Sequence, residues 1–202
     1  MAGAPRIEPV FLSASIPDPN RDPKYMQSAD LIAIREAVLA LAAVVLPHTL
    51  LVFGGHPAIS PFVRLVAERV HGERNVRIYQ SDFFRSVIPP DSQAFPDLIW
   101  TPVELGPQGA PDRARSLLRM REEMICCAPF GAGVFIGGME GVEEEFDIFV
   151  RLQPAARLLP IASTGAASRF LFEQHRARLP ADVQDALEQE VAYQAMFQAL
   201  LA

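Results

Sequence analysis

A chain of 202 residues, half of them hydrophobic, is long enough to bury one core and too apolar to stay disordered over most of its length. Its formal net charge of −6 argues against a general nucleic-acid binder, which needs a basic face. The two cysteines, Cys126 and Cys127, are adjacent and supply neither a disulfide framework nor zinc-ligand spacing.

In chain order, residues 1–8 read as a flexible N-terminus and residues 9–202 as a single domain. Val10-Phe11-Leu12 opens a strand that runs into Ser13-Ala14-Ser15-Ile16, and the proline- and aspartate-rich segment behind it is a loop. Ser28 is placed to cap a helix from Ala29 to Leu46, apolar around most of its circumference and hence buried on more than one side. Pro47 ends it. Thr49–Phe53 is the next strand and leads into Gly54-Gly55-His56-Pro57.

A helix starting at Pro57 or Pro61 reaches His71-Gly72, and Val76–Tyr79 is a short strand. Residues 80–97 predict a long loop over the ligand edge of the sheet, followed by a strand over Leu98–Val103 and a helix over Asp112–Cys127. On that helix the two cysteines read as packed, core-facing thiols of a reducing compartment, a strained vicinal disulfide being the alternative. Val134-Phe135-Ile136 lacks charge and is bounded by glycines, as a buried strand is. It ends in Gly137-Gly138, and an acidic helix start follows, carrying on to about Leu152. Leu158–Ala162 is the last strand. Ser163-Thr164-Gly165 turns into a helix broken by Pro180, and a final helix spans Asp182–Leu201.

Strands alternating with helices predict an α/β fold, Rossmann-like and three-layered, with a mostly parallel sheet. Ligands of such sheets sit at the carboxyl ends of the strands, near the point where strand order reverses. Ser13-Ala14-Ser15, Gly54-Gly55, Ser81-Asp82 and Gly137-Gly138 all follow predicted strands and are expected along that edge. A strand, a glycine turn and a helix leave backbone N–H groups free for an anion, and glycine lets a ligand approach the main chain. Either double glycine alone serves sterics as readily as binding. Two at the same kind of junction favour a nucleotide or sugar phosphate.

Met1–Pro9 lacks the apolar segment of a signal peptide, and Ala37–Leu46 is too short to span a bilayer, so a cytoplasmic protein without a membrane partner is expected. No histidine–carboxylate cluster has metal spacing, and no cofactor is expected.

The segment Gly137-Gly138-Met139-Glu140-Gly141-Val142-Glu143-Glu144-Glu145 resembles the glycine-glycine-x-glycine-threonine-x-x-glutamate signature of the SLOG superfamily, which includes the LOG (Lonely Guy) phosphoribohydrolases. Aligned on Gly137-Gly138, the later glycine falls on Gly141 after one extra residue and the glutamate on Glu145. Arg121 stands where LOG enzymes carry a ligand-binding arginine, and Gly54-Gly55 stands where the family has its first glycine loop. The family proline is Ile136 here and its threonine is Val142.

The resemblance covers roughly residues 9–165 and, together with Ser15 at the end of the first strand and His56 after the first glycine pair, gives a ligand site of Ser15, Gly54, Gly55, His56, Arg121, Gly137, Gly138, Met139, Glu140 and Gly141, with a plain solvated loop histidine as the alternative for His56. Ser15 is preferred over Ser13 as a phosphate donor because the loop begins just beyond it, and Glu140, the extra residue, is a further ligand-facing candidate. Glu145 has three readings: a catalytic carboxylate acting at a ribose C1′, a ribose-hydroxyl acceptor, or a plain helix acid. Arg121 has two, a phosphate ligand or a surface ion pair. The related SLOG domains are ligand sensors in bacterial conflict and defence systems, some beside TIR domains. The resemblance therefore implies a sensor of a nucleotide-derived small molecule such as a nucleoside phosphate, ADP-ribose or an NAD-derived signal. A homo-oligomer, a dimer in particular, and a separate effector protein are implied as partners. An N-glycosidic hydrolase is the alternative; single-stranded DNA binding, as in the DprA branch, is disfavoured by the acidic charge.

Overall fold

The computed structural model describes residues 7–202, so all of the expected N-terminal segment except Ile7 and Glu8 lies outside the described residues. Strand β1 (Val10–Ser15) is followed by the short α1 (Pro23–Met26) and the long α2 (Leu31–Val45). Next come β2 (Leu51–Phe53), α3 (Ser60–Val70) and β3 (Val76–Ser81). A 3-10 turn over Asp82–Val87 and α4 (Pro90–Gln93) lead to β4 (Asp97–Thr101) and α5 (Arg113–Cys126). The chain continues through β5 (Ala132–Gly137), α6 (Glu140–Leu152) and β6 (Arg157–Ile161) to α7 (Ala166–His175), α8 (Ala181–Gln189) and α9 (Tyr193–Leu200).

The six strands form one sheet in the order β4-β3-β2-β1-β5-β6, with every pairing parallel. Side chains alternate between its faces, as the two-residue period of a strand requires. Val10, Leu12, Leu51, Phe53, Val134 and Ile136 pack with α2, α3, α8 and α9. Phe11, Val52 and Phe135 pack the opposite way, against Met120 and Met124 of α5, Phe146 and Phe149 of α6 and Leu171 of α7. The expected three-layer, Rossmann-like α/β fold is the observed one. Gly133 belongs to β5 and makes room for the aromatic layer: a Cβ there would stand 2.6 Å from the Phe149 ring, which stacks on Phe11 at 5.2 Å.

The strand order reverses at β1, which has β2 on one side and β5 on the other. Chain leaving the carboxyl ends of β1 and β2 goes to one face, and chain leaving β5 goes to the other, so a crevice opens between them. Among the described residues, no helix is long and apolar enough to cross a membrane.

Several local expectations are corrected. Asp30, not Ser28, caps α2, its Oδ1 accepting from the N–H groups of Ile32 and Ala33 at 3.0 and 2.9 Å. The Ser28 hydroxyl instead accepts from the Ala166 N–H at 3.0 Å. The expected final helix is two helices, because Glu190 turns its carboxylate back onto the N–H groups of Val191 and Ala192. Residues 80–97 form a 3-10 turn and a short helix instead of plain loop. Cys126 and Cys127 are both free thiols, but Cys126 faces solvent and only Cys127 is half-buried.

Candidate functional site

A pocket of about 380 Å³ lies in the crevice at the β1 switch. Its floor is the end of β1, from Leu12 to Ser15, beside the Gly54-Gly55-His56 turn that follows β2. Gln80 closes it from β3, while Phe84, Val87 and Ile88 of the segment before α4 form an apolar roof. The remaining wall is one side of α5, from Arg113 to Arg121, and the opening turns of α6, with Gly141, Val142 and Glu145.

The Gly54-Gly55 turn is held from behind. Gly55 has φ +63, and a Cβ on it would stand 2.7 Å from Ile78 and 2.9 Å from the Gln80 amide. Gln80 Nε2 donates to the Gly54 carbonyl at 2.6 Å, and the Ser92 hydroxyl donates to the Gly55 carbonyl at 3.1 Å. With the carbonyls thus engaged, the N–H groups of Gly55 and His56 have no acceptor among the described residues. A pair of free N–H groups at a strand end suits an anion.

His56 sits in the same turn. Its Nδ1 accepts from the Ala58 N–H at 3.2 Å, which leaves the neutral ring's proton on Nε2. Burial holds its pKa below the ordinary histidine value, so near neutral pH the ring is an uncharged donor.

Glu145 is the acidic centre of the pocket. It reaches there because α6 starts directly after β5 and turns its first apolar face onto the sheet through Val142, Phe146 and Phe149. One carboxylate oxygen accepts from the Ser13 hydroxyl at 2.6 Å, and the other faces Arg121 Nε at 3.4 Å. The Arg121 and Glu145 side chains are only 12% and 15% exposed, and Arg121 also pairs outward with Glu144. Burial pushes the Glu145 carboxyl above the usual carboxylate range; the Arg121 charge and the Ser13 hydrogen bond oppose this without cancelling it. Gly141 lies beneath the arginine: a Cβ there would stand 3.2 Å from Arg121 Nη2, and the guanidinium would have to move by a few tenths of an ångström.

The expected residues therefore divide. Ser15, Gly54, Gly55, His56, Arg121, Gly141 and Glu145 all line this pocket. Gly137 and Gly138 stand behind its wall, where Thr164 and Ser168 hydroxyls hold the Gly137 N–H and carbonyl and the Ala167 N–H holds the Gly138 carbonyl. Met139 is buried, its sulfur accepting from the Asp18 N–H at 3.3 Å. Glu140 points to the surface, paired with Arg21 at 3.0 Å. Sequence reasoning passed over Ser13 for Ser15, yet Ser13 is the serine that meets Glu145. The two share a strand face, so periodicity alone does not choose between them. Among the described residues, no group of histidine, cysteine or acidic side chains could hold a metal ion.

The comparisons with known proteins agree with this architecture. The profile of the SLOG cluster3 family matches residues 24–201. Among solved structures, the fold is similar to the X-ray structure of TM1055, a target of the Northeast Structural Genomics Consortium. The TM-score is 0.54 at 16% identity, over 82% of this chain and 81% of that one. No match was found among proteins of curated function.

Proposed function

The chain belongs to the SLOG cluster3 family, and from that premise we propose that the pocket at the β1 switch binds a nucleotide-derived small molecule and that the protein acts as its sensor. Family membership supports a nucleotide-related function in general. The finer reading rests on one observation. A guanidinium, a carboxyl and free backbone N–H groups converge on one pocket under an apolar roof. Arg121 and the N–H groups of Gly55 and His56 are donors suited to phosphate oxygens. Glu145 and Ser13 suit ribose hydroxyls. Phe84 and its neighbours offer a surface for a base. A thermal-shift and calorimetric screen with nucleoside monophosphates, ADP-ribose and NAD tests this. A ligand at about a hundred times its dissociation constant adds about 2.7 kcal/mol to stability. No shift with any of them overturns the proposal.

A second reading is N-glycosidic hydrolysis, favoured by the raised pKa of Glu145, since a carboxyl poised above its usual range is suited to proton transfer. The sensor is preferred because Val142 brings no hydroxyl to the turn where the signature has threonine. Chromatography of the wild-type protein with AMP or NAD distinguishes the two. A sensor releases no free base or nicotinamide above the spontaneous rate, whereas a hydrolase does so and loses the release in Glu145→Gln.

As a sensor the protein needs an output, and we propose that it is carried by a dimer acting on a separate effector. Leu31 and Ile32 at the start of α2, and Val191 just before α9, are large apolar side chains left exposed. Where exposed apolar side chains form a contiguous patch, association commonly covers it. Light scattering at micromolar concentration is expected to give twice the chain mass, and a monomer mass overturns the dimer.

A further inference from the structure

The N–H groups of Gly55 and His56 are free for an anion because the carbonyls behind them are held. In a trans peptide the carbonyl of one residue and the N–H of the next point in opposite directions. Holding the Gly54 carbonyl therefore aims the Gly55 N–H, and holding the Gly55 carbonyl aims the His56 N–H. The first carbonyl belongs to Gln80, whose Nε2 donates to it at 2.6 Å and lies farther, at 3.3 Å, from the second. The second is met by Ser92, whose hydroxyl donates to it at 3.1 Å. Glycine offers little torsional resistance, and Gly55 already stands at φ +63. The plane of the peptide between Gly55 and His56 is therefore set by what holds its carbonyl.

Ser92 reaches the turn from outside the pocket. It sits on α4, immediately after the roof, and is fully buried. Ser60, the first residue of α3, is buried as well, and its Oγ lies 2.8 Å from that of Ser92. A serine hydroxyl has one proton. Ser92 gives its own to Gly55, so the proton between the two serines comes from Ser60, and the chain of donors runs from Ser60 through Ser92 to the turn. Arg64 of α3 holds Asp91, the neighbour of Ser92, at 3.2 Å and fixes α4 in place. Packing alone asks for no hydroxyl at either serine, since replacing both partners of a buried hydrogen bond by apolar groups is often nearly neutral. What the pair accomplishes is to orient the Gly55 carbonyl.

We infer that Ser92 is a positioning residue for the anion end of the pocket, acting through the Gly55 carbonyl to fix the direction of the His56 N–H. This rests on the nucleotide-binding reading and deepens it. Without the Ser92 hydroxyl the peptide is free to turn, and its N–H leaves the line to the anion. A phosphate then meets one aligned backbone donor, from Gly55, in place of two.

The test compares Ser92→Ala with Ser60→Ala in the full chain. Both break the same chain of hydroxyls and both are expected to melt below the wild type, but Ser60→Ala leaves the Ser92 proton on Gly55. In amide NMR spectra without ligand, the His56 resonance is expected to move in Ser92→Ala and to stay in place in Ser60→Ala. Calorimetry with inorganic phosphate, AMP and GMP is expected to show Ser92→Ala binding roughly tenfold more weakly, the loss expected for one charge-assisted contact. Ser60→Ala is expected to bind them as the wild type does. Adenosine and guanosine, which carry no phosphate, are expected to bind Ser92→Ala and the wild type equally. Ser92→Cys, close in size and with a weak S–H donor, is expected to fall between the two and serves as the test if the alanine variant does not fold. Unchanged phosphate affinity in the Ser92 variants overturns the inference. So does a loss shared equally by nucleosides and phosphates, or by Ser60→Ala, which would mean that Ser92 acts through stability alone. If the wild type binds none of these compounds, the nucleotide reading itself falls, and the inference with it.

Discussion

The two double-glycine turns look alike in the sequence and are opposite in the structure. Both follow strands of one parallel sheet and both precede helices on its carboxyl edge. At Gly54-Gly55 the carbonyls are tied down by Gln80 and Ser92, and the turn lines a pocket. At Gly137-Gly138 both residues have positive φ, +57 and +88, with Ile34 and Val142 in the space of a side chain, and although Gly55 is crowded from behind in the same way, only its turn lines the pocket. One turn is kept open to a visitor. The other is a packing joint that sets where α6 begins, and so where Glu145 ends up. A glycine turn can serve a site by facing it or by aiming the element that does.

The sharpest test of that contrast is Gly138→Ala. It forces a Cβ to 2.2 Å from Val142 in a backbone region that L-residues avoid. Strain and overpacking together are expected to cost roughly 2–4 kcal/mol in urea unfolding. A loss below 1 kcal/mol would erase the distinction between the turns. Next in size is Arg121→Ala, which removes a cation from the wall of the pocket. Affinity for a nucleotide ligand is expected to fall by about 1.5–3 kcal/mol, roughly tenfold to a hundredfold. Unchanged affinity by calorimetry would reduce Arg121 to an ion-pair partner of α6.

Glu145→Gln sharpens the comparison through pH. Because the folded-state pKa of Glu145 is raised above its ordinary 4.5, the folded protein keeps this proton where the unfolded chain has lost it. The stabilisation is therefore complete below that ordinary value and is lost as pH rises through the folded pKa. Relative to Glu145→Gln, wild-type stability should decline as pH is raised from about 4.5. A parallel pair of stability–pH curves would show that Arg121 and Ser13 cancel the effect of burial. The smallest effect belongs to Gly54→Ala. Its Cβ meets nothing closer than Met120 at 3.9 Å, so stability should change by less than about 0.5 kcal/mol. Only ligand affinity should respond, and a variant that binds as the wild type does would mean the ligand keeps clear of this main chain.

The layers of the fold were legible in the sequence because burial on both faces leaves parallel strands as short uncharged runs, such as Val134-Phe135-Ile136. Arg121 entered the sequence reading only through the family resemblance; its contact with Glu145, 24 residues away on another helix, was decided by how α5 and α6 pack. The break at Glu190 was not legible, because it depends on a carboxylate folding back on its own backbone within an otherwise helical pattern. Nor was the outward turn of Cys126, which follows from where α5 meets the sheet.

What the sequence by itself determined, then, is the alternation of elements, the glycines at their junctions and the net negative charge. Those follow from short-range periodicity, backbone sterics and composition. Tertiary structure alone decided which glycine turn lines the pocket, which serine meets Glu145 and that Arg121 comes to the same carboxylate. The groups that close the Gly137 turn, Thr164 and Ser168, lie 27 and 31 residues away along the chain. Whether a turn faces solvent or protein depends on what the rest of the chain lays over it, and no local pattern carries that information.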